Sequence, residues 1–251
     1  QFPQCGHSPT IVWIEYWTGR YEPLTEVYCM CGRYALKTPA SELVARFGLD
    51  ESEDFPARYN ISPGTDIQVI RQSPEGKRVL HQLRWGLVPH WAKDRAIGAR
   101  LSNARGETVA DKPSFCDAFK RRRCLVPADG FYEWKTEGRS KQPYFFSLRA
   151  GEAFALGAIW ESWRAPDGDI FRTCCLITTG ANEIMVPVHD RMPVIIAREQ
   201  YEAWLSAPPA DAFELVKPFR AKAMQAWPVS KRVRRSAEEG ADLIEPLATT
   251  E

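Results

Sequence analysis

Residues 131–178 read FYEWKTEGRSKQPYFFSLRAGEAFALGAIWESWRAPDGDIFRTCCLIT. Four β-prone runs lie in this stretch: Phe131–Lys135, Tyr144–Leu148, Phe154–Trp160 and Ile170–Thr178. Breaks such as Glu137-Gly138 part them. Short runs rich in aromatic and β-branched residues, bounded by turn residues, read as strands at hairpin spacing. Upstream, Cys124-Leu125-Val126-Pro127 leads into the first run, and Ile67–Arg71 with Arg78–Leu83 reads as another hairpin around Pro74-Glu75-Gly76. Helices arrive separately. Thr38 reads as an N-cap with Pro39 in the first turn, an apolar stripe of Leu43, Val44 and Phe47, and Gly48 as the stop. A second helix runs through Phe115, Ala118 and Phe119 into Lys120-Arg121-Arg122-Arg123. A short one is expected around Asn182–Met185, and two late ones at Arg198–Leu205 and Asp211–Lys217. Strands in hairpins with helices set apart describe an α+β domain with an antiparallel sheet. No linker is long enough to divide it.

The composition narrows the function classes. The chain has 251 residues and a formal net charge of +1, so any anion site is a local patch rather than a global field. Seven cysteines include no C-x-x-C pair, which argues against a zinc site and a disulfide framework, and for a reducing compartment. The four histidines, His7, His81, His90 and His189, include no helix-spaced pair for a metal. No apolar run approaches the ~18 residues of a membrane span, and the start is not a signal peptide. Residues 1–29 begin with Gln and are aromatic-rich, with a strand-like Ile11-Val12-Trp13-Ile14. They read as a pro-segment or as sequence upstream of a start at Met30, the alternative being an ordinary first strand.

Met30-Cys31-Gly32-Arg33-Tyr34 carries the chemistry that most needs explaining. If Met30 is a start and is removed, Cys31 becomes the first residue, with a thiol and an α-amine on adjacent carbons. The amine forms an imine with an aldehyde, the thiol closes on the same carbon, and a thiazolidine results. An α-amine with a pKa of about 7.7–8.0 keeps a useful neutral fraction near neutrality, and thiolate is a strong nucleophile. The plain alternative is an internal, buried Cys31. Three further side chains have awkward settings for a structural role. Glu133 sits between Tyr132 and Trp134 in an apolar strand: inward it is a proton donor, outward a solvated residue. His189 sits before Asp190-Arg191 in a Pro-flanked loop, and is either a proton-moving group or a surface histidine. Asn103 ends a strand and either holds a reacting group or caps a turn. Arg33, Arg105 and the Lys120–Arg123 run suit phosphate oxygens, although a charge run at a helix end also serves the helix dipole. Trp85, Trp91 and Pro63 lie in irregular stretches, where exposed apolar groups stack on or wedge between bases. Core packing is the competing reading, stronger for Trp85 than for Trp91.

Six motifs stand in order: Met30-Cys31-Gly32-Arg33-Tyr34, Asn60-Ile61-Ser62-Pro63-Gly64-Thr65, Trp85-Gly86-Leu87-Val88-Pro89, Ser102-Asn103-Ala104-Arg105, Gly130-Phe131-Tyr132-Glu133-Trp134 and His189-Asp190-Arg191-Met192-Pro193. Together they resemble the SRAP family, the SOS-response-associated peptidases or abasic-site processing proteins, over about residues 30–246. The resemblance implies a single SRAP domain, an antiparallel β-barrel-like sheet with peripheral helices, followed by a tail at 247–251. It implies binding of single-stranded DNA and single/double-strand junctions with abasic sites, and covalent capture of the ring-opened sugar by an N-terminal cysteine. By matching motif, Cys31 is the nucleophile, Asn103 positions the reacting groups, Glu133 moves protons and His189 contacts the lesion. Arg33 and Arg105 hold phosphates, Thr178 lies near the site, and Pro63 and Trp91 wedge or stack. A lyase activity and self-removal of the leader go with it. So does a monomeric, cytoplasmic, DNA-associated protein with no metal, cofactor or membrane. Trp91-Ala92 departs from members with two tandem tryptophans. Residues 1–29 matter more: an internal Cys31 has an amide nitrogen and forms no imine, so the active form is expected to begin at Cys31. Two other readings stay open. One is a thiol peptidase using Cys31, His189 and Asn103; the other is a non-covalent binder of single-stranded or modified DNA.

Overall fold

The computed structural model describes residues 32–50 and 52–248. The expected leader over 1–29 and Cys31 lie outside the described residues, as do 249–251 of the tail. In chain order the strands are β1 (Arg33–Leu36), β2 (Arg58–Ile61), β3 (Asp66–Gln72), β4 (Arg78–Trp85), β5 (Asn103–Arg105), β6 (Arg123–Ala128) and β7 (Gly130–Glu137). They continue with β8 (Ser140–Leu148), β9 (Phe154–Arg164), β10 (Ile170–Gly180), β11 (Arg191–Pro193), β12 (Ile195–Ile196) and β13 (Met224–Pro228). The four runs that opened the sequence argument are therefore β7 to β10.

Five strands close into a ring. β4 pairs with β3, β3 with β6, β6 with β9, β9 with β10, and β10 returns to β4. The first four seams are antiparallel. The last, Thr173 beside Arg84 and Cys174 beside Trp85, is parallel. The parity of the ring requires this: each antiparallel seam reverses strand direction, so an odd ring cannot be antiparallel throughout. The expected antiparallel barrel is a mixed barrel for that reason. The connection from β4 to β10 is long, as a parallel pair requires. A second sheet, all antiparallel, runs in the order β13-β8-β7-β1-β2. One residue, Asp129, separates β6 of the barrel from β7 of this sheet. Its buried carboxylate accepts the Lys37 N–H (2.6 Å), the Thr38 N–H (2.9 Å) and the Thr38 hydroxyl (2.6 Å).

The helices are short. α1 (Ala40–Phe47) buries Leu43 and Phe47 and ends at left-handed Gly48, φ 65°. Its N-cap is Pro39 rather than Thr38, because the Thr38 hydroxyl is spent on Asp129. α2 spans Cys116–Arg121, α3 Tyr201–Ser206 and α4 Pro209–Phe213. The helix expected around Asn182–Met185 is a series of turns, with Asn182 O accepting the N–H groups of Met185 and Val186. No helix among the described residues is long and apolar enough to cross a membrane.

The barrel core holds Trp85, which is fully buried and donates its indole N–H to Ser102 O (2.8 Å), and Trp204, which donates to Cys124 O (2.8 Å). Each large apolar side chain taken from water contributes on the order of 1.5–3 kcal/mol before entropy costs. Cys124, Cys174 and Cys175 are free and buried, and burial pushes their thiols up, so they are inert core residues. Cys116 is buried at the start of α2. Arg123, the last of the basic run, is buried. It donates to the carbonyls of Trp204 (2.6 Å), Phe119 (2.7 Å), Lys120 (3.3 Å) and Ala207. It ties α2 to the end of α3 and is not available to phosphate.

Candidate functional site

The C-terminal half of β10 gathers several of the expected site residues. β5 lies along one edge, parallel, with Asn103 beside Leu176, Ala104 beside Ile177 and Arg105 beside Thr178. β11 lies along the other, antiparallel, with Pro193 beside Thr178 and Arg191 beside Gly180. Gly106 makes the close approach after Arg105 possible. A Cβ there would stand 2.3 Å from Val216 Cγ1 and 3.0 Å from Thr178 O. Asn103 is half-buried and Arg105 exposed. Thr178 is fully buried, and its hydroxyl donates to Ala104 O (3.4 Å) and accepts from Arg191 Nη2 (3.2 Å). It is thus a brace between β5 and β11 rather than a contact surface.

Arg191 is the residue the sequence quoted but gave no role. Its guanidinium forms a two-pronged pair with Glu107, with Nη2 2.9 Å from Oε2, and also donates to Thr178 O (2.9 Å). That pair holds the Glu107 carboxyl below the usual carboxylate range. The Arg191 backbone N–H donates to His189 Nδ1 (3.0 Å), which makes Nε2 the protonated nitrogen of the neutral ring. The Asp190 carboxylate also lies 3.0 Å from Nδ1. His189 is itself tethered through its N–H to Met185 O (2.9 Å).

Glu133 is on the second sheet, in β7, opposite Tyr144 of β8, and is only 3 % exposed. The inward alternative is the one realised. β1 pairs antiparallel with β7, Arg33 beside Tyr132 and Tyr34 beside Phe131, so β1 starts one residue from Glu133 in the register. Gly130 permits the sheet's tight packing, since a Cβ would meet the Phe145 ring at 2.2 Å. Arg33 does not stand open for phosphate. Its Nη1 donates to Asn60 Oδ1 (2.8 Å) and Val233 O (2.6 Å), its Nη2 to Arg234 O (3.2 Å), and burial lowers its pKa.

Pro63 lies in a turn that precedes β3 and is pinned to the end of β4 by Gly64 N–H to Trp85 O (2.7 Å). Trp91 is 50 % exposed, with its indole N–H 3.3 Å from Pro113 O, whereas Trp85 is core, as the contrast between them anticipated. His90, Asp117 and Glu161 bring ligand-type atoms within 4.8 Å of one another. The Arg122 guanidinium already bridges the two carboxylates, 2.9 Å from Glu161 and in contact with Asp117. That cation makes the cluster an ion-pair network. Among the described residues, then, β10 unites Asn103, Arg105 and Thr178, and His189 stands in the loop that leads into β11. Glu133 and Arg33 stand on the other sheet, and Pro63 and Trp91 stand on loops.

The family model for SOS response associated peptidase (SRAP) matches residues 30–236. The abasic site processing protein YoqW of Bacillus subtilis is 39% identical over 224 residues, covering 86% of this chain and 99% of that protein. The abasic site processing protein YedK of Escherichia coli is 31% identical over 228 residues, covering 87% and 100%. A crystal structure of a protein from Bacteroides thetaiotaomicron superposes with a TM-score of 0.77 at 25% identity, covering 86% of this chain and 99% of that one.

Proposed function

The chain belongs to the SOS response associated peptidase (SRAP) family, and from that premise we propose that it captures abasic sites in DNA through Cys31 acting as an N-terminal residue. The α-amine attacks the aldehyde of the ring-opened sugar and water leaves, giving an imine. The thiol then adds across the C=N bond, sulfur to carbon and its proton to nitrogen, and a thiazolidine joins protein to DNA. In this reading Glu133 supplies the proton that opens the sugar ring and takes it back in reversal; a lyase activity would arise at the imine, where loss of a C2′ proton to a base expels the 3′ phosphate. Asn103 orients the sugar, and His189 contacts the lesion through Nε2. Arg105 meets a flanking phosphate, and Pro63 and Trp91 unstack the neighbouring bases. The domain extends from 30 to 246, single strands and junctions are the favoured DNA, and the working protein is a monomer.

The observation that carries the proposal is a buried carboxylic acid, Glu133, one register step from the start of the strand that follows Cys31-Gly32. A carboxyl group sheltered from water at this point of the register is suited to move the protons that imine formation and ring opening require. Intact mass analysis of protein beginning at Cys31, mixed with single-stranded DNA containing one abasic site, should show the adduct, and Cys31→Ser should not form the thiazolidine. Absence of any DNA mass on the parent protein overturns the proposal. Acetylating the α-amine separates it from a thiol peptidase: capture ends, whereas ordinary thiol attack on a peptide bond persists. Release of a leader from a longer precursor, blocked by Cys31→Ala, is the expected sign of self-cleavage.

A further inference from the structure

A cavity of about 860 Å³ opens at the other end of β10, lined by Asp66, His81, Arg84, Arg95 and Arg172 among others. None of the motifs described above assigns these basic residues a role. The side chains of Arg84 and Arg172 are exposed and make no hydrogen bond or ion pair among the described residues. Arg95 lies over the Phe171 ring at 5.4 Å. Asp66 is the one carboxylate in the lining among the described residues. Behind the wall a fourth guanidinium, Arg71, reaches His81 with Nη2 3.1 Å from Nε2. Burial, then Arg71 and Arg172, push the His81 imidazole below its ordinary value, so it does not relieve the repulsion. Part of the wall is bare backbone. An ideal Cβ on Gly86, at φ 139°, would lie 2.7 Å from Gly98 O, and the reverse contact is equally short. The fold supplies carbonyl or carboxylate acceptors to the guanidinium groups of Arg33, Arg123 and Arg191. Around this cavity the guanidinium groups of Arg84 and Arg172 have no such acceptor among the described residues.

The cavity adjoins the candidate site along two routes. Gly64 of its lining follows Pro63, and Thr173 of its lining stands on the same strand as Thr178. Five residues of strand cover about 17 Å at ~3.3 Å each, which matches about five base-pair steps at ~3.4 Å. Resting on the reading of DNA as the partner, we propose that this cavity holds the phosphodiester backbone of the DNA flanking the lesion, with Arg84 and Arg172 as its phosphate contacts. Guanidinium groups suit phosphate oxygens through paired N–H donors, and Phe171 and Ile170 offer apolar surface beside them.

The test uses the chain beginning at Cys31 and two measurements. Fluorescence anisotropy gives the affinity for an undamaged junction oligonucleotide across a salt series, and intact mass gives the adduct yield with saturating abasic DNA. The double variant Arg84→Gln/Arg172→Gln should weaken binding about tenfold or more near 0.15 M salt and flatten the log–log salt slope by about 1–2. Its saturated adduct yield should equal the parent's. Arg139→Gln, an exposed arginine in the β7–β8 turn, should leave the slope within error. Unchanged affinity and slope in the double variant overturn the cavity assignment, as does an equal loss per charge in Arg139→Gln. A parent that binds with a slope lost in the double variant yet forms no adduct overturns covalent capture and leaves the cavity standing. A parent with no salt-dependent binding overturns both.

Discussion

The two ends of β10 treat arginine in opposite ways. At the end near Gly180, Arg191 spends its donors on Glu107, Thr178 O and the Thr178 hydroxyl. At the end near Ile170, Arg172 and its neighbour Arg84 spend theirs on nothing in the described protein. A guanidinium has five donors and is not deprotonated in proteins. One whose terminal nitrogens are taken up by carbonyls and carboxylates is a structural fastener, and a second anion would have to displace those partners. One left in water beside other cations is available to an external anion. Charge and position in sequence do not separate the two kinds; acceptors do.

Arg123 gives that division its hardest test. Removing it leaves four carbonyls at the ends of α2 and α3 without their donor, in a buried place. Arg123→Leu should cost about 3 kcal/mol of stability in urea unfolding, as hydrogen bonds to a charged group are lost in the core. If enough folded protein remains, its salt slope for DNA should match the parent's. A lost slope with intact stability would move Arg123 into the DNA-binding class and break the comparison.

Arg191 comes next. Its side chain is 12% exposed and its partner Glu107 53%, so screening reduces the pair's worth, but the bonds to Thr178 are sheltered. Arg191→Leu should lose about 2 kcal/mol. Arg191→Lys should recover less than half, because one ammonium cannot reproduce the two-pronged contact. The adduct rate should fall with the loosened His189 loop, whereas affinity for undamaged DNA should change less than in the cavity double variant. A smaller effect follows from Glu107. Its folded pKa is depressed, so its contribution exists above the ordinary glutamate range, about 4.3, and disappears as pH falls through the folded value. Parent and Glu107→Gln should therefore differ by about 0.5 kcal/mol at neutral pH and converge in acid, as read by thermal unfolding across pH.

The sequence carried the periodic features well. β7 to β10, the hairpin of β3 and β4 around Gly76, and the contrast between Trp85 and Trp91 follow from patterns a few residues long. The parallel seam did not follow, because it comes from the parity of a closed ring rather than from any local run. The basic stretch 120–123 read as a solvated face or a phosphate patch, since the Trp204 and Ala207 carbonyls that Arg123 reaches lie 81 and 84 residues away. Arg191 and Glu107 are likewise 84 apart. The burial of Glu133 was one of two stated alternatives, and only the packing of β7 between β1 and β8 decided it. The cavity was invisible for the same cause: β3, β4, β10 and the turn Arg95–Arg100 each contribute one to three polar residues, unremarkable in their own segments.

His81 supplies the finest distinction between the two ends of β10. Its folded pKa is depressed by burial and by Arg71 on β3 and Arg172 on β10, so the unfolded chain takes up a proton first as pH falls. Stability linked to His81 is thus full above its ordinary value, about 6.5, and is lost as pH drops through that value toward the folded one. The half-open setting screens the effect, so His81→Gln should flatten the acid side of the stability profile by about a few tenths of a kcal/mol. DNA binding turns that small term into a sharper reporter. A phosphate placed among Arg71, Arg84 and Arg172 offsets the cations that disfavour imidazolium, raises the His81 pKa and makes binding take up a proton. Affinity for undamaged DNA should then tighten as pH falls from about 7.5 to about 5.5, and the His81→Gln profile should be flatter. Coincident profiles would mean that no anion comes near the imidazole, and the open arginines around it would lose their ligand.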